Sequence, residues 1–149
     1  VSKTYIRTVY QIVFSTKHRV PCLTKPNREK LFRYLSKILE NKRCTVYQIG
    51  GIEDHLHIIC SLHPSVALAS VVKDLKLASS SVIKKEKLFP GFTAWQVGYS
   101  AFTYKPEALT DLIHYVAIQE EHHHGETSPE ELRRLLRAHG IEFDETYFE

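Results

Sequence analysis

Residues 55–62, His55-Leu56-His57-Ile58-Ile59-Cys60-Ser61-Leu62, alternate in a way that few folds accommodate. Side chains at i and i+2 of a strand point to one face. Leu56, Ile58, Cys60 and Leu62 would then form a buried apolar face. His55 and His57 would stand side by side on the other, with Ile59 and Ser61 beyond them. Two imidazoles at that spacing can jointly grip one metal ion. The same spacing also describes two histidines on the solvated face of an amphipathic strand, so the pair alone leaves both readings open.

The elements on either side of this strand set the fold class. Residues 5–16, rich in Val, Ile, Tyr, Phe and Thr, read as a first strand. After a loop broken by Pro21 and Pro26, Asn27 is placed to cap a helix reaching about Lys42. Its residues Leu31, Tyr34, Leu35, Ile38 and Leu39 recur at helical spacing. Residues 44–49 read as a second strand, and Gly50-Gly51 as the turn into the third. Ser65 is placed to cap a second helix over 66–87, and Pro90-Gly91 breaks the chain. Residues 93–104 are strand-like, with Gly98 at a bend. A third helix is expected from Pro106 to about His122. Gly125 to Pro129 reads as a linker. Ser128, with Pro129 after it and Glu131 three residues on, reads as the cap of a short helix ending at Gly140. The order β-α-β-β-α-β is that of an α+β, ferredoxin-like domain, with two helices on one face of an antiparallel sheet. The other face is left to meet a nucleic acid or an appended helix. The whole chain, 1–149, reads as one domain, with a core over about 5–124 and a helical, acidic tail.

Charge narrows the partners. Residues 1–90 hold 16 of the 20 Lys/Arg and 6 of the 17 Asp/Glu, a balance of +10. Residues 91–149 hold 4 and 11, a balance of −7. A basic half favours a polyanionic partner. Lys17, Arg19, Lys73, Lys76, Lys84 and Lys85 are its candidate nucleic-acid contacts. No apolar run approaches the ~20 residues that span a bilayer, and Val1 to Tyr5 lack the apolar core of a signal peptide. Cys22, Cys44 and Cys60 are odd in number, far apart and without Cys-x-x-Cys spacing, so neither a disulfide framework nor a zinc knuckle is indicated. A cytoplasmic protein without membrane association is expected.

The third helix carries a second set of polar groups. Tyr115 and Gln119 are i,i+4 neighbours on one face. A tyrosine hydroxyl is a possible nucleophile, and a glutamine amide oxygen a hard metal ligand able to complete a site begun by two histidines. A half-buried tyrosine and a surface glutamine have the same spacing. His122-His123-His124 reads as a polar helix end, because adjacent helical residues do not converge on one point.

Together these motifs resemble the single-tyrosine HUH transposases of bacterial insertion sequences, the IS200-like and REP-associated transposases. His55-Leu56-His57 resembles the histidine-hydrophobic-histidine motif, with the lead-in Gly50, Gly51 and Asp54 before it. Tyr115-Val116-Ala117-Ile118-Gln119 resembles the tyrosine motif. Val13 to Arg19 and Trp95 to Phe102 are similar to the family's first strand with its basic loop, and to the strand before the tyrosine helix. Ser100, where a glycine is common, and Ile52-Glu53, where Met-Pro is usual, depart from the pattern at positions that carry no chemistry. The resemblance implies that His55, His57 and Gln119 bind a divalent cation, Mg²⁺ or Mn²⁺. It implies that Tyr115 attacks single-stranded DNA at hairpin-bearing ends to give a 5′-phosphotyrosine. It also implies a homodimer, in which the tyrosine helix can reach the partner's histidines. The competing readings are a non-catalytic or domesticated nucleic-acid-binding module on the same fold, and a metal phosphoesterase with a water nucleophile.

Overall fold

The computed structural model describes residues 3–148; Val1, Ser2 and Glu149, and with them the start of the N-terminal segment read above, lie outside the described residues. Four strands, β1 (Tyr10–Ser15), β2 (Thr45–Gly51), β3 (His55–Ser61) and β4 (Ser100–Thr103), form one antiparallel sheet in the order β2-β3-β1-β4. Helix α1 (Asn27–Asn41) joins β1 to β2, and α2 (Leu68–Glu86) joins β3 to β4. This is the expected ferredoxin-like arrangement. Three further helices follow: α3 (Leu109–Ala117), α4 (Gln119–His122) and α5 (Ser128–Ala138).

Period two decides which residues face which layer. Ile12, Phe14, Leu56, Ile58 and Cys60 point to α1 and α2, where they meet Leu31, Leu35, Leu39, Val71, Val72 and Leu75. Each such side chain contributes about 1.5–3 kcal/mol when fully buried. The alternate residues point the other way, and that face is covered rather than open. Val13 and Phe102 pack on Leu132, Leu135 and Leu136 of α5. Val9 and Ile59 pack on Leu112 and Val116 of α3. His55 and His57 therefore lie between the sheet and its second helical layer.

Several local expectations are corrected. The first strand starts at Tyr10 and the fourth at Ser100, because only those residues find ladder partners. The segment before β4 contributes a single bridge, Trp95 to Thr16, and turns at Gly98 in a left-handed conformation (φ 87°). Gly50 and Gly51 are not a turn but the end of β2, paired with His57 and Leu56. A Cβ on Gly50 would lie 2.2 Å from the Val116 carbonyl oxygen, so α3 can press against β2 only where the side chain is missing. Asn27 is the first residue of α1 rather than its cap, and its side-chain amide donates to the Leu88 carbonyl at 3.0 Å. Ser65 does not cap α2, which begins after Ala67. The third helix breaks at Ile118 (φ −105°, ψ 27°), separating Tyr115 on α3 from Gln119 on α4. The capping box of α5 is Thr127 with Glu130, one residue earlier than Ser128 with Glu131. That single-residue shift frees Ser128 and Glu131 for other partners.

Candidate functional site

The lead-in to β3 fixes the first histidine. Asp54 Oδ1 lies 2.8 Å from His55 Nδ1 and accepts a hydrogen bond from Ser128 Oγ, also at 2.8 Å. His57 is held from β1, where Gln11 Nε2–H donates to His57 Nδ1 at 3.0 Å. Gln11 is in turn held by the Tyr104 hydroxyl at 2.6 Å. Both rings are thus fixed through Nδ1 and present Nε2 to one point. Ligating histidines are oriented by such outer hydrogen bonds.

The third helix supplies the rest. Arg28, buried in α1, pairs with Glu120 and so anchors the residue beside Gln119. Gln119 Oε1 lies 3.3 Å from His55 Nε2. The sequence expectation for His123 is overturned. The break at Ile118 and the turn after α4 carry its ring inward, with Nε2 3.1 Å from Gln119 Oε1. Its Nδ1 lies 2.5 Å from the Glu126 carbonyl oxygen. His123 therefore has the outer partner and inward nitrogen of a third imidazole ligand.

At the centre stands a residue that the sequence reading did not include in the site. Glu131 Oε1 is 2.9 Å from His57 Nε2, 3.1 Å from His55 Nε2 and 3.2 Å from His123 Nε2. Its other oxygen accepts from Gln119 Nε2 at 3.0 Å and from the Tyr115 hydroxyl. One carboxylate therefore bridges the imidazoles and the tyrosine. Arg134, one turn along α5, donates to the Tyr115 oxygen at 2.8 Å and pairs with Glu126. The signal for Glu131 was present in the chain: it lies four residues before Leu135 and next to Leu132, on the apolar stripe of an amphipathic helix.

The electrostatics follow from this packing. Exposure is 2% for His55, 0% for His57, and 1% for both Gln119 and Glu131. Burial works against charge on His55, yet its bonds to Asp54 and Glu131 outweigh that and push the imidazole up to about 9. Burial dominates at His57 and lowers it, so this ring is neutral. Burial also opposes charge on Glu131, but hydrogen bonds from His123, His55 and His57 hold it well below the usual carboxylate range. Burial and the Glu131 charge push the Tyr115 phenol up, with Arg134 acting in the opposite sense. In this arrangement the tyrosine keeps its proton.

The site suits a divalent cation. Three imidazole nitrogens face Glu131 Oε1, the Gln119 amide oxygen lies beside two of them, and His55, His57 and Glu131 have donor atoms close enough to share one ion. The imidazoles favour Zn²⁺ by softness, and the amide and carboxylate oxygens suit Mn²⁺ or Mg²⁺. All of these residues come from one chain; the Tyr115 ring centre lies 6.0 Å from that of His57. Of the candidate DNA contacts, Lys17, Lys73, Lys84 and Lys85 are exposed. The last three sit on α2, in the helical layer on the opposite face of the sheet from the histidines. Lys76 is committed to the fold: its ammonium donates to the Gln96 carbonyl at 2.8 Å and the Gly98 carbonyl at 2.5 Å.

Comparison with known proteins bears on the same residues. The sequence pattern of the family described as "Transposase IS200 like" matches residues 4–119. No curated protein matches the chain. Among solved structures, it is similar to a candidate transposase from Deinococcus radiodurans R1 (20% identity, 80% of this chain and 95% of that one, TM-score 0.64). It is also similar to a REP-associated tyrosine transposase bound to a REP hairpin (16% identity, 83% and 73%, TM-score 0.58). At those identities the two structures establish the shared fold. With the family pattern spanning the sheet, both histidines, Tyr115 and Gln119, the chain belongs to the IS200-like transposase family.

Proposed function

We propose that this transposase cuts and rejoins single-stranded DNA at hairpin-bearing ends, with Tyr115 as nucleophile and His55, His57 and Gln119 as ligands of a divalent cation, Mn²⁺ or Mg²⁺. The observation that carries this reading is the convergence of Tyr115, Gln119 and both histidines on the single carboxylate of Glu131. Asp54 and Gln11 aim the two rings, and His123 adds a third nitrogen. A cation held by these residues would supply Lewis acidity toward the phosphate. The Tyr115 oxygen bonds to phosphorus as the bond to the 3′-oxygen breaks. The phenolic proton is lost and the departing 3′-oxygen gains one. The products are a 5′-phosphotyrosine and a free 3′-OH. Attack by a second 3′-OH reverses the step and joins strands without nucleotide hydrolysis, because the phosphotyrosine conserves the diester energy.

Buried histidines and a tyrosine hydrogen-bonded to Glu131 leave no room for a phosphate between them. Strand entry therefore requires α5 to withdraw from the histidines. The hairpin partner is supported by the basic first half of the chain and by the hairpin bound to one structural neighbour. The assembly we favour is a homodimer that brings two ends together. Each copy already carries every residue of the site, so an exchanged tyrosine is not needed to complete it. The closed site is also what a non-catalytic binding module would show. Incubation with a hairpin-bearing single strand and Mn²⁺ separates the two: a covalent adduct on a denaturing gel, absent for Tyr115→Phe, is expected. Hairpin binding without an adduct would favour the module.

A further inference from the structure

Two side-chain nitrogens stand out among the described residues. Arg19 Nε and Nη2 are buried and have no hydrogen-bond partner there. A buried donor left unmade is destabilising, and more so when charged. The fold keeps this guanidinium in place nonetheless. It borders a narrow cleft of about 10 Å³ whose polar residues are Ser15, His55, Ser128 and Glu131 and whose other walls are apolar, from Val13, Phe14, Leu132 and Leu135, with Tyr147. The turn that carries it is tied to the histidine strand: Thr16 N–H donates to the Asp54 carbonyl at 2.9 Å, and Thr16 Oγ1 bonds to the Val20 carbonyl at 2.8 Å. His18 and Arg19 both adopt left-handed backbone (φ 57° and 55°), which residues with a Cβ rarely do. The tail closes the outside. The Phe148 ring centre lies 5.5 Å from the Arg19 guanidinium and 4.3 Å from that of Arg133. Burial disfavours the charge on this guanidinium, and Asp54, which favours it, is already bonded to His55 and Ser128.

We infer that Arg19 is the phosphate-binding guanidinium of the active site, donating through Nε and Nη2 to the non-bridging oxygens of the scissile phosphate beside His55. This rests on the proposed strand-cleavage reading and deepens it, replacing a general backbone contact by a role at the reacting group. A planar fork with two parallel donors matches a phosphate edge, and a lysine ammonium does not. In the closed form the fork has nothing to bind. When α5 and the tail lift away together, the same cleft opens toward the histidines and both donors are satisfied.

The test compares wild type, Arg19→Ala and Arg19→Lys on a hairpin-bearing single strand. Hairpin affinity and Mn²⁺ affinity should stay within about threefold, while the rate of Tyr115 adduct formation falls by about 100-fold or more in both variants. Added ethylguanidinium should restore part of the Arg19→Ala rate. A methylphosphonate at the scissile position, which removes one charged oxygen, should slow wild type far more than Arg19→Ala. Equal slowing of both, or a wild-type rate in Arg19→Ala, overturns the assignment. If wild type forms no adduct with any strand, the cleavage reading fails instead. Arg19 is then decided by nitrogen-15 spectra with inorganic phosphate: a saturable shift of its Nε–H resonance supports anion binding, and no shift overturns it.

Discussion

Glu131→Gln keeps the shape of the side chain and removes its charge, so it isolates what the carboxylate does. In the closed form that carboxylate faces His57, His55 and His123 through one oxygen and accepts from Gln119 and Tyr115 through the other. Hydrogen bonds to charged groups contribute about 1.5–3 kcal/mol, against about 0.5–1.5 for neutral ones. Losing roughly 1 kcal/mol at each of three imidazoles weakens the docking of α5 by about 3 kcal/mol. The contacts of Leu132, Leu135 and Leu136 remain, so the helix stays folded. At about 1.4 kcal/mol per tenfold, the open form becomes roughly 100-fold more populated. Amide hydrogen exchange read by mass spectrometry measures this directly. Protection over residues 128–138 should fall by about 100-fold. Adduct formation with Mn²⁺ should rise, because the site is open more often. Unchanged exchange over 128–138 would refute the clamp. Loss of adduct formation would show that the carboxylate serves chemistry and is not an obstacle to it.

The same charges set a pH profile for the cation-free protein. His55 is raised to about 9 from an ordinary 6.5, so its contribution is complete below about 6.5 and is lost as pH climbs through 9. Glu131 is depressed from an ordinary 4.5, so its contribution is present above that value and is lost as pH falls. Thermal midpoints should therefore be highest between about pH 4.5 and 6.5. Cation binding needs the His55 proton removed, so calorimetry should show proton release and Mn²⁺ affinity rising from pH 6.5 to 9. Gly50→Ala places a methyl group against the Val116 carbonyl and should push α3 off β2. The expected cost is about 1–3 kcal/mol of stability by denaturant titration, with adduct formation lost. Mixing Tyr115→Phe with His57→Ala protein under verified subunit exchange tests whether sites are shared: a shared site restores adduct formation, and a site completed within one chain does not.

The residues whose partners are close in sequence, or whose pattern is strong, were legible without coordinates. Alternation over 55–62 placed both histidines on one face, and the element order gave the topology. Tyr115 and Gln119 were found as a pair, yet the break at Ile118 was not visible, since nothing in Val116-Ala117-Ile118 disfavours a helix. β propensity outruns the ladder at 5–9 and 93–99, so composition alone overstates the strand ends there. Gly50 looked like a turn because glycine marks turns more often than close contacts; only the position of Val116 shows which is meant here. The capping box illustrates a subtler failure. Ser128 and Glu131 satisfy its spacing, but Thr127 and Glu130 satisfy it too, and the second choice lets Glu131 turn inward to the histidines. The apolar stripe of α5 signals that Glu131 is buried, but nothing local names the histidines as its partners.

The central claim is that Tyr115 becomes covalently linked to a DNA 5′-phosphate when the histidine site holds a cation. Wild-type protein is incubated with a hairpin-bearing single strand and Mn²⁺, digested with nuclease and protease, and fragmented in a mass spectrometer. The account predicts a phosphodeoxynucleotide mass on Tyr115, lost in EDTA and in His57→Ala, and no such product when the same sequence is supplied as a perfect duplex. The modification on Tyr99 or Tyr104 instead, or its full yield in EDTA, would contradict it.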